Sequence, residues 1–80
     1  MREFNVQLFS KRLKDLRSEK EISLFQLEQK IGINHASLNG WERGKNIPAV
    51  DKVFLLAQYF DVSIDFLTGL EDEFGNKIKK

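Results

Sequence analysis

No cysteine occurs among the 80 residues, and there is one histidine, His35. The first absence excludes a disulfide framework and any thiolate zinc site, and it suits a reducing cytoplasm. His35 as a metal ligand has no second histidine or cysteine to support it. Long apolar runs are missing too. The longest, Val53 to Ala57, falls far short of the roughly 20 residues that span a bilayer, and the N-terminus lacks a signal-peptide apolar region. A soluble, cytoplasmic chain with no membrane partner is expected. There is no internal repeat, linker or low-complexity segment, so one domain is expected. Enzymatic signals are equally scarce: there is no thiol, no metal cluster and no phosphate-cradling loop. The acidic run Glu71-Asp72-Glu73 reads as a solvated tail, because a catalytic carboxylate pair needs a pocket and a partner. No enzyme activity and no cofactor are expected.

What is present is a small core and an uneven charge. Hydrophobic residues make up 41% of the chain and aromatics 11%, enough for a dense core and too much for disorder. The net charge is only +1, yet residues 1–50 hold nine Lys/Arg against six Asp/Glu, and residues 51–80 hold four against six. The first part is suited to face phosphate while the second faces away.

Periodicity predicts five short helices. Val6, Phe9, Leu13 and Leu16 form one stripe over residues 6–20. Ser23 and Gln26 have capping-box spacing, with Ile22 and Leu27 placed as a hydrophobic staple. The helix they open turns Leu27 and Ile31 inward and stops at Gly32. Asn34 is placed to cap a third helix, with Leu38 and Trp41 as its core pair, ending at Gly44. Lys45 to Pro48 read as an extended crossing. Residues 50–60 are apolar nearly all round, which predicts a helix buried on most faces. Ser63 caps a last short helix closed by Gly69. Leu24 and Phe25 read as a partly exposed rim of the core. The domain is expected over residues 1–70, followed by a charged, frayed tail over 71–80. In that region Leu70 and Phe74 suit either docking on the domain or a dimer contact. Asn39-Gly40 is a strong hairpin dipeptide. No strand pattern flanks it, so the helical spacing of Leu38 and Trp41 prevails, with an interior-glycine cost of about 1 kcal/mol.

Two short helices joined at Gly32 can lay the second into a DNA major groove. At about 100° per residue, Ala36, Asn39, Gly40 and Arg43 share the face opposite Leu38 and Trp41, and His35 flanks it. A face of small and amide residues is unlike the Glu- and Lys-rich surface of a merely solvated helix. It suits close approach to base edges.

The run "ISLFQLEQKIGINHASLNGWERGKNIP", followed by "LAQYFDVSIDFLTG", resembles the phage Cro/repressor-type helix-turn-helix proteins, the XRE family. The resemblance covers about residues 8–70. It implies an all-α, five-helix repressor-type domain that binds a two-fold operator in double-stranded DNA as a homodimer. Carried over by position, His35, Ala36, Asn39 and Gly40 are base-facing, and Ser37, Arg43, Lys45 and Asn46 are phosphate-side. The family pattern also implies a structural ion pair between Arg17 and Glu42. Leu24 stands where the family often has glutamine. Glu28 stands where it favours a small residue, so its carboxylate is expected to turn outward. The leading expectation is a transcriptional repressor; the alternative is a partner-dependent regulator such as an antitoxin.

Overall fold

The computed structural model, which describes residues 3–78, contains five helices: α1 (Val6–Glu19), α2 (Leu24–Ile31), α3 (His35–Glu42), α4 (Val50–Phe60) and α5 (Ile64–Thr68). The all-α, five-helix fold is as expected. Most helix starts have a local cause. The Asn5 side chain accepts a hydrogen bond from the Leu8 N–H at 3.0 Å, and Ser63 Oγ accepts from the Phe66 N–H at 2.9 Å. At α2 the capping box is complete: Ser23 Oγ accepts from the Gln26 N–H, and Gln26 Oε1 accepts from the Ser23 N–H. Gly32 then takes φ +76°, a left-handed conformation that lets α2 end and the chain turn at once into α3.

The core is apolar and continuous across all five helices. Leu13, Leu27, Leu38, Leu56 and Leu67 are fully buried, with Phe9 beside them. Each contributes about 1.5–3 kcal/mol relative to exposure. Trp41 is also buried, and Ile22 packs on the same cluster. Asn39 and Gly40 lie within α3, so core packing prevails over their local hairpin preference. α3 packs on α1 and α2, while α4 packs on α5 and α2.

Two expectations are corrected. α4 is not buried on most faces: Val53, Leu56, Ala57 and Phe60 face the core, but Val50 is 77% exposed and Phe54 54%. Leu55 and Tyr59 also pack half-buried against the core, so the open part of α4 is the arc through Val50, Asp51, Phe54 and Gln58. The tail, expected to fray, folds back within its described part. Asp72 Oδ1 accepts from the N–H groups of Phe74 and Asn76, Glu71 pairs antiparallel with Lys77, and the Ile78 N–H donates to the Leu70 carbonyl. Arg12 secures this turn from α1, donating to the carbonyls of Glu71 and Phe66 while lying over the Phe66 ring. Leu70 and Phe74 remain exposed, and Lys79 and Lys80 lie outside the described residues.

Candidate nucleic-acid interface

α3 is held at both ends, leaving its outer face open. At its start the Asn34 side chain accepts from the Ala36 N–H at 2.7 Å. A second acceptor comes from α2. Glu28 Oε1 accepts from the His35 N–H at 2.8 Å and lies 2.6 Å from His35 Nδ1. A carboxylate suits this position, because free N–H groups leave a helix start partly positive. Hydrogen bonds from the His35 ring, and then from its backbone, hold the Glu28 carboxyl below the usual carboxylate range.

At the other end Glu42 receives Arg17 bidentately: Nε to Oε2 at 2.7 Å and Nη2 to Oε1 at 2.9 Å. The third guanidinium nitrogen donates to the Ile22 carbonyl at 2.8 Å, just before α2. One arginine thus ties α1 to both helices of the turn unit. Ser10, buried on α1, donates its hydroxyl to the Trp41 carbonyl at 2.6 Å. Among the described residues no fully buried side-chain nitrogen or oxygen lacks a partner.

Between these clamps His35, Ala36, Ser37 and Asn39 are exposed, whereas Leu38 and Trp41 are buried. Arg43, Lys45 and Asn46 are exposed where the chain leaves α3. Gly40 departs from its expected place. It is buried, and a Cβ there would lie 3.0 Å from Asn46 Nδ2. The Lys45 N–H also donates to the Gly40 carbonyl at 2.9 Å. The missing side chain therefore admits the Asn46 amide against α3 and does not add to the open face. The reason is that Asn46 returns over the helix, which helical angles alone do not reveal.

Sequence reasoning missed Ser10, Arg12 and the partner of Glu28. Ser10 is unremarkable in a helical pattern, and its contact lies 31 residues away. Glu28 does turn its carboxylate away from the core, but onto His35 and not into open solvent. Phe25 completes the setting, its ring meeting the His35 ring edge-on at 5.8 Å.

The comparisons agree with this architecture. Residues 13–67 match the helix-turn-helix family. The uncharacterized HTH-type transcriptional regulator YobD of Bacillus subtilis (strain 168) is 36% identical over 73 residues, covering 91% of this chain and 65% of YobD. The chain thus spans just under two thirds of that relative. Among solved structures, the SOS-response transcriptional repressor LexA from Eubacterium rectale superposes with a TM-score of 0.75 at 27% identity, covering 99% of this chain and 84% of that one. The restriction-modification controller protein C.AhdI from Aeromonas hydrophila gives 0.70 at 27% identity, covering 78% and 94%. A clamped second helix behind a glycine turn, with its outer face open, accords with those matches: the chain belongs to the helix-turn-helix family, of the Cro/repressor (XRE) type, a family of DNA-binding transcriptional regulators.

Proposed function

We propose that this chain is a transcriptional repressor that binds a palindromic operator as a homodimer, with α3 in the major groove of each half-site. The observation that carries the reading is the exposure of His35, Ala36 and Asn39 on a helix anchored at both ends. Anchoring matters because base readout needs side chains presented from a rigid element. Asn39 is suited to the N6 and N7 edge of adenine and Ala36 to a thymine methyl. His35 meets the bases at the helix start, and Gly40 acts through Asn46. Ser37, Arg43, Lys45 and Asn46 serve the phosphates. Residues 1–70 form the DNA-binding unit, and 71–80 are an appended charged segment.

Dimer formation is supported by an apolar surface beyond α3. Ile47, Val50, Phe54 and Ile64 are all exposed, and Ile47, Val50 and Ile64 line a groove with Phe4 and Pro48. A two-fold operator calls for a second copy on such a face. The same surface also suits the partner-dependent reading, in which another protein covers it.

Selection of duplexes from a random pool, followed by titration at several salt concentrations, tests the proposal. A palindrome with half-sites about one helical turn apart is expected, with a log–log salt slope of roughly −4 to −8 for the dimer. Salt-independent affinity would overturn it. Weak binding that becomes tight only with a second protein would favour the partner-dependent regulator.

A further inference from the structure

We infer that Glu28 is a positioning residue for base reading, locking the His35 imidazole so that Nε2 is the ring atom offered to DNA. The inference rests on the reading of α3 as the helix that meets base edges, and it deepens that reading by naming what His35 recognises.

The ring is held on two sides. Glu28 Oε1 sits 2.6 Å from Nδ1 while also accepting the His35 backbone N–H, so one carboxylate oxygen ties backbone and ring together. The Phe25 ring packs edge-on against the imidazole. A carboxylate only accepts, so Nδ1 carries the hydrogen. In the neutral ring that leaves Nε2, on the opposite edge, as an acceptor. The His35 side chain is 53% exposed, and among the hydrogen bonds of the described residues Nε2 makes none. α3 meets one charged side chain from each of the two helices packed on it. Glu28 of α2 faces His35, and Arg17 of α1 is spent on Glu42 at the far end.

The chemistry follows from the tautomer. An acceptor at Nε2 matches the exocyclic amine of adenine or cytosine in the major groove. A protonated ring donates from Nε2 instead, which matches guanine O6 or N7. The base opposite His35 is therefore read as amine-bearing, adenine or cytosine, while the ring keeps the Nδ1–H form. Glu28 also places negative charge near the DNA, so its removal raises overall affinity while blurring discrimination. Discrimination is the informative measurement.

Two experiments test this. In the first, nitrogen-15 NMR of the free wild-type protein reads the His35 tautomer at alkaline pH. Hydrogen on Nδ1 is expected in the wild type and in Glu28→Gln, whose amide oxygen still accepts, but not in Glu28→Ala. A wild-type ring carrying its hydrogen on Nε2 overturns the positioning. In the second, each protein is titrated against the selected operator and its single-base variants. Glu28→Ala and His35→Ala should flatten the same one position by about tenfold or more, the double change adding nothing further, while Glu28→Gln retains the preference. Unchanged ranking in Glu28→Ala overturns the specificity role. Failure of the wild type to bind any duplex sinks the operator reading instead, and the NMR result still judges the tautomer.

Discussion

Arg17 and Glu42 meet through two parallel hydrogen bonds of 2.7 and 2.9 Å, joining the last turn of α1 to the last residue of α3. Side-chain exposure is 17% for the arginine and 5% for the glutamate, so water screens the pair little. Arg17→Ala leaves Glu42 buried without its cation and frees the Ile22 carbonyl. A loss of about 2–4 kcal/mol is expected, somewhat below the figure for a fully buried pair. The double change Arg17→Met with Glu42→Leu should recover much of it, because an apolar pair removes the stranded charge. Urea unfolding of both variants decides. An Arg17→Ala protein as stable as the wild type would mean the pair contributes nothing.

Gly40→Ala should separate stability from binding. Alanine gains up to about 1 kcal/mol over glycine within a helix. Its Cβ would press on Asn46 Nδ2, the far end of an exposed side chain that can swing away. Thermal stability is expected to stay level or rise while DNA affinity falls, because Asn46 leaves its place beside α3. A parallel loss of both would show that Asn46 cannot yield.

Asn39→Ala and Lys45→Ala are expected to weaken DNA binding in different ways. Removing the carboxamide should cost about 1–3 kcal/mol on the preferred site and flatten discrimination at one base position. Removing the lysine should weaken all sequences alike and reduce the salt slope by about one. Titration of both variants against single-base changes of the operator separates the two. If Asn39→Ala preserves the ranking, base reading must lie with His35 or Arg43.

Acid should remove the contribution of Glu28 to folding. Hydrogen bonds from His35 lower the carboxyl pKa in the folded state, so the folded protein binds fewer protons at this site than the unfolded chain. The stabilisation is complete well above the unfolded value of about 4.3 and disappears as pH falls through the lower folded value. The stability difference between wild type and Glu28→Gln should therefore be largest near neutrality and shrink below about pH 4. A difference that holds constant into strong acid would show that the carboxylate is not what matters there.

Local chemistry determined where the helices begin and end. Ser23 with Gln26, Gly32, Asn34 and Ser63 each act on backbone groups within a few residues, and such contacts form in nearly any tertiary setting. Helical spacing likewise identified Leu38 and Trp41 as the buried side of α3, and so marked His35, Ala36 and Asn39 as its open side. The resemblance carried Arg17 and Glu42, which no local rule would have paired across 25 positions. Only the tertiary structure decided that Ser10 reaches the Trp41 carbonyl, that Asn46 fills the space beside Gly40 and that Glu28 holds His35. It also decided that α4 keeps an apolar face open and that Arg12 draws the tail back onto α1. Periodicity reports which side of a helix is apolar, but not how many neighbours arrive to cover it. Contacts between distant side chains depend on crossing angles set by the packing of the whole core, and no short window of sequence contains them.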